Sequence, residues 1–183
     1  MPSLNLDFLN LLKSDYKNYK IFIETGTGYC DTIIEMVKYF DELYSIEISK
    51  VLHERALEKH SNDKINFILA DSAVYLNELL PELNDNVIIF LDAHYSFGET
   101  GHNGKQVPLL EELEIINNKL SKEAIIIIDD MRLTDTKKKR KEWCDINDKI
   151  ILSKIDKNRI KNYYYLSSEL HEKDRFVIEM DGK

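Results

Sequence analysis

One apolar run ends in an acid and an imidazole: in "VIIFLDAHYSFGETGHNGKQV", Asp92 closes the run Val87–Leu91 and His94 follows two residues later. A second run, "AIIII" from Ala124 to Ile128, ends in the adjacent pair Asp129 and Asp130. Carboxylates gathered at one point repel unless a cation neutralises them, and an all-oxygen set suits magnesium or a similar hard ion. An imidazole beside such a centre titrates near neutral pH and can take the proton of a hydroxyl. The bland alternatives are that the aspartates cap helices or turns, although one cap needs only one carboxylate, and that His94 only hydrogen-bonds. A further candidate is "ETGTG", Glu24 to Gly28, where glycines let a backbone approach a ligand and a following helix N-terminus offers amide donors. A ligand-free tight turn would read the same. The dinucleotide pattern G-x-G-x-x-G fails because Asp31 stands where its third glycine belongs, and no G-x-x-x-x-G-K-[ST] is present for ATP or GTP.

These groups need strands and helices to place them. Short β-rich runs alternate with helical stretches, the pattern of a parallel sheet covered on both faces. The periodicities predict helices over Leu4–Lys17, Asp31–Phe40, Lys50–His60, Ser72–Leu83, Pro108–Leu120 and Thr136–Trp143. They predict strands over Tyr19–Thr25, Glu42–Ile48, Ile65–Asp71, Asn86–Asp92 and Glu123–Asp130, closed by strands over Asn162–Ser168 and Arg175–Met180. The expected fold is α/β: a Rossmann-like, doubly wound, seven-stranded, mostly parallel sheet with helices on both faces, forming one domain over 1–183.

With 183 residues, 43% hydrophobic and 32% charged, the chain is large enough to bury about 70% of its unfolded surface in one core. A net charge of -8 and a pI near 5.2 argue against nucleic acid as partner and favour a small-molecule ligand. No apolar run approaches the roughly 20 residues of a membrane span. The beginning of the chain lacks a secretory pattern, and Cys30 and Cys144 have no disulfide or metal spacing, so cytoplasm is expected. His53 and His60 lack the spacing of a zinc peptidase helix, "KKKRK" from Lys137 to Lys141 reads as a solvated face, and Tyr163–Tyr165 reads as sheet packing.

Ligands of such folds bind beyond the carboxyl ends of the strands. Each of the first five strands ends in or near an acid: Glu24, Glu47, Asp71, Asp92 and Asp129. E-x-G-x-G after the first strand, Glu47 at the end of the second and Asp71-Ser72 at the end of the third together resemble the class I S-adenosylmethionine-dependent methyltransferases, over roughly Tyr19 to Arg132. The resemblance implies S-adenosyl-L-methionine as cofactor, held by Glu24, Thr25, Gly26, Gly28, Glu47, Asp71, Ser72 and Asp92. In that family the glycine loop lies beside the methionine part, the second-strand acid on the ribose hydroxyls and the third-strand acid on the adenine.

The Asp after the fourth strand and the Asp-Asp pair after the fifth resemble the metal-dependent sugar O-methyltransferases of the macrocin and mycinamicin type; the catechol type carries Asp-Asn there. This implies Mg2+ (or Mn2+) on Asp92, Asp129 and Asp130. His94 stands where the sugar family has an acidic base, and it can do the same work as general base. The polar loop "YSFGETGHNGKQV" offers Tyr95, Glu99, His102 and Lys105 as contacts to a sugar or glycan acceptor, an ordinary solvated loop being the alternative. The expected partners are therefore a small-molecule or glycan sugar acceptor, no nucleic acid, no membrane and, in some form, a second copy of the chain. Three rivals stay open: a metal-independent methyltransferase, an NAD-linked oxidoreductase, and a binding module that transfers nothing.

Overall fold

The computed structural model describes residues 3–94, 107–134 and 141–183. In chain order the elements are α1 (Leu6–Leu9), β1 (Ile21–Thr25), α2 (Asp31–Met36), β2 (Glu42–Glu47), α3 (Lys50–Lys59), β3 (Ile65–Leu69), α4 (Ser72–Leu79), β4 (Val87–Leu91), α5 (Leu109–Lys119), β5 (Ala124–Ile128), α6 (Asp148–Ser153), β6 (Ile160–Leu166) and β7 (Arg175–Met180). The strands form one seven-stranded sheet in the order β3-β2-β1-β4-β5-β7-β6. The first five run parallel, whereas β7 is antiparallel to both β5 and β6.

Alternation along each strand divides the core between the two faces. Ile21, Ile23, Ile89, Leu91, Ile126 and Ile128 pack with Leu76 of α4 and Leu113 and Ile116 of α5. Phe22, Ile88, Phe90, Ile125 and Ile127 face the other way, against Phe8 and Leu9 of α1 and Ile33 and Met36 of α2. The doubly wound expectation is met. The strand order turns back between β1 and β4, and the crevice of such a fold opens there, at the carboxyl ends of the strands.

Several boundaries differ from the sequence pattern. The expected helix over Leu4–Lys17 breaks after Leu9, because two amides that would have continued it are taken by the sheet: Lys13 N donates to Tyr164 Oη at 2.9 Å and Ser14 N to Glu179 Oε1 at 3.0 Å. A single 3-10 turn, Tyr16–Asn18, follows. The second helix stops at Met36 rather than Phe40. The helix expected to reach Leu83 ends at Leu79, where Pro81 removes an amide donor and the chain tightens into a 3-10 turn over Leu80–Glu82. Of the helix expected over Thr136–Trp143, residues 135–140 lie outside the described part and Lys141–Trp143 is a 3-10 turn. Helix α6, capped by the Asn147 side chain, was not anticipated by the pattern.

Gly26 has φ +86°, and a Cβ there would lie 2.7 Å from the backbone oxygen of Asp92, whereas Gly28, φ +51°, has open space around it. Gly26→Ala must therefore move the end of β4, and a loss of about 2–4 kcal/mol is expected in urea denaturation. Gly28→Ala meets only the left-handed backbone penalty, about 1 kcal/mol. Equal losses would show that the approach of the turn to Asp92 is not tight.

Candidate active site

The turn after β1 is folded over buried acids. Gly26 N donates to Ile46 O at 2.8 Å, which ties the turn to β2. Beneath it, Thr27 Oγ1 lies 2.7 Å from Ser45 Oγ, and that hydroxyl donates to Glu24 Oε1 at 2.6 Å. Burial holds the Glu24 carboxyl well above the usual range, against the pull of Ser45 and with the charges of Asp92 and Glu47 adding to the rise. Glu47, at the end of β2, accepts from Thr27 N at 3.1 Å, Gly28 N at 3.2 Å and Ser49 N at 2.8 Å. The acid that the resemblance puts on a ribose therefore also fastens the glycine turn. Asp71 caps α4, its Oδ1 accepting from Ala73 N at 3.0 Å, and Ser72 is buried beside it.

A second cluster joins the ends of β4, β5 and β7. His94 sits between two carboxylates, Nε2 2.9 Å from Asp130 Oδ2 and Nδ1 3.5 Å from Asp92 Oδ1. Burial disfavours its charged form, but Asp130 and Asp92 outweigh that and raise its pKa to about 9. In this pairing the two carboxylates favour its charged form. Burial likewise works to raise Asp130, yet the His94 and Arg132 contacts leave its carboxyl below the usual range. Asp129 moves the other way, because burial comes first and the charge of Asp92 adds to it.

The cations that offset this crowd came from residues the sequence reading passed over. Arg132 contacts Asp130 and lies with Nη1 2.7 Å from Asp174 Oδ2, and Arg175 Nε is 3.5 Å from Asp129 Oδ1. Asp174 is buried and also accepts from Ser168 Oγ at 2.5 Å. Antiparallel pairing explains its position: Phe176 is opposite Ile128, so the residues before β7 meet those after β5. The ligand atoms of Asp92, His94 and Asp130 all lie within 4.8 Å of one another, as do those of Asp129, Asp130 and Asp174. The expected trio Asp92, Asp129 and Asp130 is thus shared between two groups, and His94 joins the donor set of one. Either group has the charge and the spacing to fit a divalent ion. Tyr95, Glu99, His102 and Lys105 lie outside the described residues.

Glu112 is the other residue missed, although a signal was present. Leu109, Glu112, Leu113 and Ile116 follow the i, i+3, i+4, i+7 stripe of α5, so an acid occupies a core position. It is 1% exposed, and burial pushes its carboxyl up to about 7 against the pull of the Ser72 and Thr25 hydroxyls. Even so, neither Glu112 Oε1 nor Thr25 Oγ1 has a hydrogen-bond partner among the described residues.

No protein-family model matches the sequence, and no curated protein does. Among solved structures, the chain is similar to a candidate caffeoyl-CoA O-methyltransferase from Staphylococcus aureus, with TM-score 0.64 and 16% identity over 99% of this chain and 86% of that one. An rRNA methylase from Streptococcus thermophilus gives 0.53 and 14% identity over 91% and 89%. A spermidine synthase from Thermotoga maritima gives 0.56 and 16% over 90% of this chain and 55% of that one, so the chain spans about half of that enzyme. The chain has the fold of these structures. Among the described residues, no helix is long and apolar enough to cross a membrane.

Two outcomes are expected from substitutions here. Glu112 binds its proton more tightly folded than unfolded, where it titrates near 4.5, so the stability it lends is complete below that value and is lost as pH rises through about 7. Glu112→Gln should therefore gain on the wild type by roughly 3 kcal/mol between about pH 4 and about pH 8 in urea titrations, and a flat difference would mean the carboxylate is charged and paired. Arg132→Met strands Asp174 and should lower stability by about 3 kcal/mol, with Asp174→Asn restoring part of it in the same background. Simple additivity of the two changes would rule out their coupling.

Proposed function

We propose that the protein is an S-adenosylmethionine-dependent O-methyltransferase acting on a hydroxyl of a sugar, a glycan or a similar small polyol. One contact carries the reading: Gly26 lies against the backbone carbonyl of Asp92, so the glycine turn and the Asp92–His94–Asp130 cluster share a wall. A sulfonium donor beside the turn would present its methyl group to whatever the cluster holds. Methyl transfer to an alcohol needs that hydroxyl held in line and relieved of its proton.

In this reading the positive φ of Gly26 and Gly28 opens the turn beside Thr25 and Glu24 to the cofactor, and Asp71 and Ser72 face its adenine. Glu47 already receives three amides, but a carboxylate offers about four acceptor positions, which leaves one for a ribose hydroxyl. Asp92, Asp129 and Asp130 would hold magnesium or manganese, with His94 beside them as the base. Such an ion supplies Lewis acidity, lowering the pKa of a hydroxyl on it. His94 keeps its proton while both nitrogens face carboxylates, and becomes a base once that pairing is loosened. Tyr95, Glu99, His102 and Lys105 remain proposed acceptor contacts. The net charge of -8 supports a small, uncoated acceptor over nucleic acid and accords with a cytoplasmic protein. A second reading, the same transfer without a metal, is favoured by Arg132 and Arg175, which already offset the aspartates.

Calorimetric titration with S-adenosylhomocysteine should give saturable binding where NAD gives none. Absence of binding would end the methyltransferase reading. His94→Ala should keep that affinity and lose turnover by at least about a hundredfold, the usual scale of a general base. Loss of turnover with a chelator supports the metal, and unchanged turnover supports the second reading.

A further inference from the structure

The two residues that follow Asp130 are fastened to the end of the β6–β7 hairpin by one acid. Asp174 is 1% exposed; its backbone oxygen accepts from Met131 N at 2.9 Å and its Oδ1 from Arg132 N at 3.3 Å. Its Oδ2 accepts from Arg132 Nη1 at 2.7 Å and from Ser168 Oγ at 2.5 Å. A carboxylate offers about four acceptor positions, and Arg132 N, Arg132 Nη1 and Ser168 Oγ fill most of them. Asp174 is thereby occupied by the chain itself, although one of its oxygens lies within 4.8 Å of oxygens of Asp129 and Asp130.

Its influence reaches the site through Arg132. Arg132 Nη1 touches both Asp174 Oδ2 and Asp130 Oδ1, so the place of that guanidinium sets which oxygen of Asp130 is covered. With Arg132 held against Asp174, Oδ1 of Asp130 faces the guanidinium and Oδ2 is left to His94 Nε2 at 2.9 Å. The arrangement requires Asp130 at φ +60°, an unfavourable backbone for a residue with a side chain. Relaxation of φ would turn the Cβ, and with it the carboxylate, away from His94. Ser168 holds the same Asp174 oxygen but makes no printed contact with Arg132 or Asp130; its hydroxyl instead accepts from Leu170 N at 3.0 Å and His171 N at 3.3 Å in the hairpin.

We propose that Asp174 is a positioning residue of the site: acting through Arg132, it holds Asp130 in the left-handed backbone that aims its carboxylate at His94. This rests on Asp130 and His94 belonging to the transfer site, as in the function proposed above. The test follows the nuclear Overhauser cross-peak between the amide and α protons of Asp130 in isotope-labelled protein, which the short separation at positive φ makes strong. Asp174→Asn keeps the shape of the side chain and gives up the charge facing Arg132, so the cross-peak should fall to the level of ordinary helical and extended residues. Arg132→Met should cause the same loss, and the two substitutions together no more than either alone. Ser168→Ala loosens the same hairpin without touching Arg132 and should leave the cross-peak strong. A weak cross-peak in the wild type, its survival in Asp174→Asn, or its equal loss in Ser168→Ala overturns the assignment, the last because Asp174 would then matter only by holding the hairpin. Should Asp174→Asn not fold, Arg132→Met against Ser168→Ala decides in the same way. Calorimetry with S-adenosylhomocysteine should give Asp174→Asn the wild-type affinity. No binding by the wild type ends the methyltransferase reading and leaves the cross-peak result standing, so the two failures are told apart.

Discussion

Asp130 is held from two sides, by His94 Nε2 on one oxygen and by Arg132 on the other. Those contacts join three strand ends, since His94 follows β4, Asp130 follows β5, and Arg132 reaches on to Asp174 just before β7. The residue sits at φ +60°, a left-handed backbone that a non-glycine residue adopts only when its surroundings hold it there. Its carbonyl accepts from Leu133 N at 2.8 Å and its own amide donates to Asp129 Oδ1 at 2.9 Å. Removing either contact would leave a buried acid whose remaining neighbours are mostly acids.

The same requirement, that a buried carboxylate find donors, shapes the glycine turn. Glu47 recruits three amides and Glu24 a hydroxyl, so the turn is fixed by what lies beneath it as well as by its own glycines. Gly26 then meets Asp92 at a distance no side chain would permit. A preorganised surface results, in which amides, acids and an imidazole converge before any ligand binds. Glu112 is the exception: its Oε1 has no hydrogen-bond partner among the described residues.

Much of this was legible from local pattern. Runs such as "VIIFL" and "AIIII" are buried on both faces and have nowhere to lie but in the middle of a parallel sheet, and they do so as β4 and β5. Acids written immediately after those runs must then gather at one edge, whatever the details of the helices. A glycine turn between a strand and a helix is likewise a local feature. The amphipathic start of the chain misled because periodicity cannot report that Tyr164 and Glu179, far along the chain, would claim its amides.

By itself, then, the amino-acid order determined the alternation of strands and helices, the parallel sheet and the row of strand-end acids. Those depend on hydrophobic period and on residues next to one another. Only the tertiary structure decided which charges meet. Asp174 reaches Arg132 because β7 runs antiparallel beside β5, and neither strand order nor direction is written in any short stretch. The upward shift of the His94 pKa follows from the same packing, since a pKa reflects burial and neighbouring charge, and both exist only once distant segments have come together.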